Sequence, residues 1–152
     1  MERNSILTAL SDRAKWDEFL KYKTDRRHLN EKEQKLLEEY IENEKYLLAV
    51  EKIKSGDFPG EYATKKFINK SGTKKKRVVY CYSDDVNFVL KFIAHYLYIY
   101  DSKLEENCYA FRKNHGVKQA LRRLTGNTPL RGMYCFKADI QDYFNSIDVV
   151  IL

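Results

Sequence analysis

Only three of the 152 residues are cysteine, Cys81, Cys108 and Cys135, and no two of them form a Cys-x-x-Cys pair. Thiols this few and scattered exclude a disulfide-stapled fold and a zinc knuckle; they fit small core residues in a reducing compartment. Proline occurs twice and glycine six times, so there is no Pro-rich or Gly-rich linker and there are few built-in helix breaks. His28, His95 and His115 lack metal-ligand spacing, and no Cys or Ser arrangement beside them suggests nucleophilic catalysis. No apolar run approaches the roughly 18 residues of a membrane span, and the amino terminus MERNSILTALSDRAKWDEF lacks the apolar stretch of a signal peptide. A soluble, cytoplasmic protein with no membrane partner is expected.

Acid is missing from two long windows. Between Glu61 and Asp84 there is none, while Lys65, Lys66, Lys70, Lys74, Lys75, Lys76 and Arg77 fall there. Between Glu106 and Asp139 it is absent again, and Arg112, Lys113, Lys118, Arg122, Arg123, Arg131 and Lys137 are present. The net charge of +6 is thus concentrated in the second half of the chain, as a groove for a polyanion requires. Twelve Tyr and eight Phe are far more rings than an unfolded chain carries, so many are expected to be buried or to stack.

Periodicity predicts mixed helices and strands. Ile6 to Tyr22 reads as one helix packed through Trp16, Phe19 and Leu20. Glu31 to Lys54 reads as a longer one, opened by an Asn30/Glu33 capping box and closed by Ser55-Gly56. Tyr62 to Ile68 and Arg77 to Tyr82 read as strands joined by a turn over residues 69–73, giving a hairpin with a lysine-loaded tip. Val86 to Tyr100 should be a largely buried helix, and Gly116 to Leu124 a basic one stopped by Gly126. Met133 to Ala138 reads as a buried strand ending at Asp139.

A carboxylate at a strand end sits where a divalent metal and phosphates can reach it, although such an Asp also serves simply to cap the next turn. A lysine-rich turn, likewise, is compatible with a merely solvated tip. Longer strings carry more information. KADIQDYFNSID, from Lys137 to Asp148, resembles the first palm motif of reverse transcriptases related to group II introns and retrons. Asn107 to Ala120, with its Tyr109-Ala110-Phe111-Arg112 core, resembles the family's fingers motif, and Lys75-Lys76-Arg77-Val78-Val79-Tyr80 resembles its fingers hairpin. The three stand in the family's order.

The resemblance implies an α+β fold: a helical extension over residues 1–57, polymerase fingers over 58–130 and the start of a palm over 131–152. It implies RNA-directed DNA synthesis on an RNA template and DNA primer from deoxynucleoside triphosphates, with Mg²⁺ held by Asp139 and the carbonyl of Ile140. Phe144 would be the gate against the ribose 2′-hydroxyl, and Lys76 and Arg77 would grip the triphosphate. Arg112, Lys113, Lys118 and Arg122 would face the template or primer backbone. Tyr82-Ser83-Asp84-Asp85 spells the family's other carboxylate motif but precedes the Asp139 motif, so it is expected to be a helix start with Ser83 as cap. The sequence ends four residues after Asp148, and on that ground the chain is expected to lack polymerase activity as it stands. A non-catalytic RNA-binding module and a truncated remnant are the alternatives.

Overall fold

The computed structural model describes residues 3–26, 28–69, 71–72, 74–110, 112, 115–127 and 132–140. Two compact units divide the chain, Met1–Leu104 and Glu105–Leu152. The described residues form an α+β structure of six α-helices and one two-stranded antiparallel sheet. None of these helices is long and apolar enough to cross a membrane.

The first unit opens with two helices, α1 (Arg3–Ser11) and α2 (Arg13–Asp25), where periodicity predicts one. Asp12 makes the break. Its backbone is extended, and its carboxylate accepts the Ala14 N–H at 2.9 Å, so it caps a new helix. The predicted helix from Glu31 is also two, α3 (Glu31–Glu42) and α4 (Lys45–Ser55). The capping box at its start is present: the Asn30 side chain accepts the Glu33 N–H at 2.9 Å, and the Glu33 carboxylate accepts the Asn30 N–H at 3.2 Å. At its end Gly56 adopts the left-handed conformation, φ 86°, which a residue without a Cβ takes at no steric cost. The break between α3 and α4 has no Gly or Pro to announce it. Asn43 Nδ2 donates to the Glu39 carbonyl at 2.8 Å, and Glu44 turns the chain at φ 50°.

Both breaks serve one residue. Trp16 is fully buried, and its indole N–H donates to the Leu10 carbonyl at 2.8 Å, tying α2 to the end of α1. Its ring centroid lies 5.5 Å from that of Tyr40 on α3 and 5.4 Å from that of Tyr46 on α4. Because α3 and α4 turn at residues 43–44, both tyrosines reach the same indole. A straight helix would place Tyr40 and Tyr46 on divergent faces.

Strands β1 (Thr64–Asn69) and β2 (Lys76–Cys81) form the predicted hairpin, paired from Thr64 with Cys81 to Asn69 with Lys76. Helix α5 (Asp84–Tyr96) follows and buries Val86, Phe88, Val89 and Phe92. Its α-helical hydrogen bonding stops four residues before the predicted end, tightening into a 3₁₀ segment over Leu97–Lys103. There the run Tyr96-Leu97-Tyr98-Ile99-Tyr100 is mostly aromatic and β-branched, with low helix propensity. The Phe92 ring stacks on Trp16 with centroids 4.2 Å apart, so α5 joins the same core.

The second unit contains helix α6 (Val117–Asn127), which runs through Gly126 instead of stopping there. Residues 133–138 are not a buried strand: they have no regular secondary structure, and Met133, Tyr134 and Phe136 are exposed. A strand exists through its ladder of hydrogen bonds, and among the described residues no neighbour pairs with this stretch. The cysteines are not core residues either, since Cys81 and Cys108 are half-buried and Cys135 is exposed.

Replacing Trp16 with Ala deletes a fully buried ring and an indole hydrogen bond, a change expected to cost about 3–5 kcal/mol. Urea unfolding followed by circular dichroism should show that loss, and a shift under 1 kcal/mol would remove Trp16 from the centre of the fold. Burial, with a smaller contribution from Asp85, raises the Tyr40 phenol well above its ordinary range, and burial also raises Tyr46. The folded chain therefore keeps protons that the unfolded chain releases near pH 10. Stability should be intact below about pH 10 and fall as pH rises from there toward the raised folded values. Tyr40→Phe should make that alkaline decline shallower in urea midpoints measured between pH 8 and 11.5.

Candidate nucleic-acid interface

Antiparallel pairing puts directly opposed residues on the same side of a sheet, and successive residues on opposite sides. The pairs Lys65 with Tyr80, Phe67 with Val78 and Asn69 with Lys76 therefore share one face of the hairpin. The pairs Thr64 with Cys81, Lys66 with Val79 and Ile68 with Arg77 share the other. Lys76 and Arg77, which the resemblance assigns together to one triphosphate, thus project from opposite faces. Both are exposed, as is all of β1.

The base of the hairpin is anchored by rings and by a close contact. Phe58 stacks on Tyr62 with centroids 5.3 Å apart and on Tyr82 with centroids 5.9 Å apart, joining the chain entering the hairpin to the chain leaving it. Gly60 lies so close to Val86 that an added Cβ would overlap that side chain, so only glycine lets this loop sit against α5. The hairpin has a fixed root and a solvated, basic blade.

Tyr82-Ser83-Asp84-Asp85 lies at the start of α5, as its position in the sequence predicts. Asp84 and Asp85 occupy the first turn, where the helix dipole favours negative charge. Ser83 stands at the cap position but its hydroxyl makes no capping bond. Asp85 instead faces Lys45 Nζ at 3.9 Å across a cavity of about 460 Å³ also lined by Tyr40, Lys52 and Gly60. None of the sequence-assigned site residues lines it.

In the second unit, Arg112 is turned inward on its own loop. Its NH1 donates to the Glu105 carbonyl at 2.8 Å and to the Cys108 carbonyl at 3.3 Å, bracing the turn at 105–108. Lys118 and Arg122 are exposed one turn apart on α6, about 5–6 Å between Cβ atoms, a spacing that presents two cations to one phosphate chain. Arg123 faces Glu106 at 3.7 Å, an exposed pair that contributes little. Asp139 and Ile140 lie in the exposed, irregular stretch at 132–140. Lys113 and Phe144 lie outside the described residues.

The fit of Mg²⁺ to this chain can be judged from its donors. A carboxylate and a carbonyl are the hard oxygen ligands Mg²⁺ takes, but its octahedron needs six positions filled by protein, phosphate and water. Among the described residues no three His, Cys, Asp or Glu groups converge. Asp139 and Ile140 alone do not make a two-metal centre. Sequence reading missed the pairing of Phe67 and Tyr80 with Lys65 and Lys76 on one face. The alternation of residues along the two strands was the available signal.

No protein-family model, curated protein or solved structure matches the chain.

Because Arg112 braces a turn, Arg112→Ala should speed chymotryptic cleavage after Tyr109 severalfold. Lys118→Ala, on the exposed side of α6, should leave that cleavage rate unchanged. An unchanged rate in Arg112→Ala would show that Arg112 is not a brace.

Proposed function

We propose that this chain supplies the fingers, and the opening of the palm, of an RNA-directed DNA polymerase that holds a DNA primer on an RNA template. The observation that carries this reading is the hairpin. A two-stranded hairpin in water is marginal by itself, yet this one exposes the whole of β1, gathers Lys74, Lys75, Lys76 and Arg77 at one end and has no acid between Glu61 and Asp84. Like charges crowded on a slender element oppose its folding and are neutralised when a polyanion binds. The same segment resembles the fingers hairpin of the family, and the other two resembling motifs follow it in the family's order.

In this role Arg77 carries the fork that fits phosphate oxygens, two parallel N–H donors in a plane. Lys74 and Lys75 add unforked positive charge near it. Lys118 and Arg122 on α6 take backbone phosphates of template or primer. Asp139, Ile140 and Phe144 keep the metal and sugar-gate roles that the resemblance implies.

Fluorescent deoxyadenosine triphosphate titrated into the purified chain tests the reading. Saturable binding displaced by each of the four deoxynucleoside triphosphates is expected. Arg77→Ala should weaken it by roughly tenfold or more, since a charge-assisted hydrogen bond is worth about 1.5–3 kcal/mol. Tight, salt-sensitive binding of a primer–template without any binding of triphosphate would overturn the polymerase reading in favour of a non-catalytic RNA-binding module.

A further inference from the structure

We propose that the hairpin face opposite Arg77 is a stacking platform for an unpaired nucleic-acid strand, with Phe67 and Tyr80 as the base-contacting rings and Lys65 and Lys76 as the phosphate contacts. The proposal rests on the nucleic-acid partner of the preceding reading but needs neither the triphosphate nor the polymerase chemistry. Phe67 is 62% exposed, Tyr80 61% and Val78, which lies between them on the face, 41%. Three large apolar side chains turned to water on one side of a hairpin of two six-residue strands leave unburied the area that would otherwise stabilise it. Lys65 Nζ stands over one face of the Phe67 ring, 5.6 Å from its centroid, so a base stacking on this exposed ring displaces that ammonium toward the phosphates or takes the other face. Neither strand contributes an acidic side chain.

Spacing decides which form of nucleic acid fits. Phe67 is opposite Val78, and Tyr80 is two residues further along β2, so the two rings are diagonal neighbours on the face. Diagonal neighbours stand roughly 7–8 Å apart, about twice the 3.4 Å rise of a stacked duplex strand. Bases of a paired helix are closed to such rings, whereas a strand drawn out of its helix presents successive bases at longer intervals. Every base has a π-face, so the platform takes either sugar and any sequence. Because β-strand alternation puts Arg77 on the other side, a strand on this face leaves the Arg77 side free.

The test uses the full chain and 12-residue single-stranded RNA and DNA of mixed sequence carrying one 2-aminopurine, whose fluorescence is quenched on stacking. The wild-type chain should bind and quench the strand, and the RNA and DNA arms should show which sugar it prefers. The double variant Phe67→Val, Tyr80→Val keeps strand propensity and touches no buried residue. It should lose quenching and weaken single-strand binding at least tenfold, with the circular dichroism spectrum and triphosphate binding unchanged. Lys65→Gln keeps both rings and should make the decline of log K with log salt shallower by up to one phosphate's worth, about 0.7 for a single strand. Unchanged quenching in the ring variant, or polyglutamate bound as tightly as the oligonucleotide, would overturn the platform even if triphosphate binding holds. Ring-dependent quenching in a chain that binds no triphosphate would leave the platform standing and sink the polymerase reading.

Discussion

The contact on which the first unit depends is the burial of one indole among rings from four helices. Trp16 is touched by Phe19 on its own helix, Tyr40 on α3, Tyr46 on α4 and Phe92 on α5, while its N–H closes on the end of α1. An aromatic ring gives large apolar area with few torsions to freeze, and offset or edge contacts between rings add to the gain from burial. The hub also fixes geometry at a distance. Phe92 holds α5, the first turn of α5 follows β2 after two residues, and Gly60 and the Phe58 stack bind the other leg of the hairpin to the same place. A hairpin with almost no buried surface of its own takes its orientation from this root.

Local chemistry was legible where it was self-contained. The Asn30/Glu33 box, the left-handed Gly56, the hairpin and the helix at Asp84 all follow from residues within a few positions of one another, and each is present. Illegible features were set by partners distant in sequence. The turn at Asn43-Glu44 lacks a breaker residue, and its reason is Trp16, nearly thirty positions away. Residues 133–138 form a nearly continuous apolar run like that of a buried strand, but such a run records only what the side chains prefer; a strand also needs a second backbone beside it. The candidate site divides similarly. Its basic residues were visible as two acid-free windows, whereas the two backbone carbonyls that the Arg112 guanidinium meets, those of Glu105 and Cys108, were not.

Adjacent cations in a sequence are easily read as one grip, and the strand geometry argues otherwise for Lys76 and Arg77. Consecutive residues on a strand diverge by half a turn, so a ligand flat against one face meets one of the two. The hairpin thereby acquires two unlike surfaces from a single charged run. One carries Arg77 beside Ile68 and Lys66; the other carries rings between lysines. A forked donor suits a compact triphosphate, and rings with flanking ammonium groups suit a chain of bases with its backbone.

The Tyr82-Ser83-Asp84-Asp85 string makes the complementary point about letters and position. Two carboxylates can share a metal when the backbone directs both toward one point, as a tight turn between strands does. In the first turn of a helix consecutive side chains are about 100° apart, so Asp84 and Asp85 diverge. Here Asp85 leans toward Lys45, and both acids lie against the positive end of α5. Their charge is already used in starting the helix that Phe92 anchors to the core. The same four residues would do different work in a hairpin, because backbone geometry fixes where a carboxylate points before its chemistry matters.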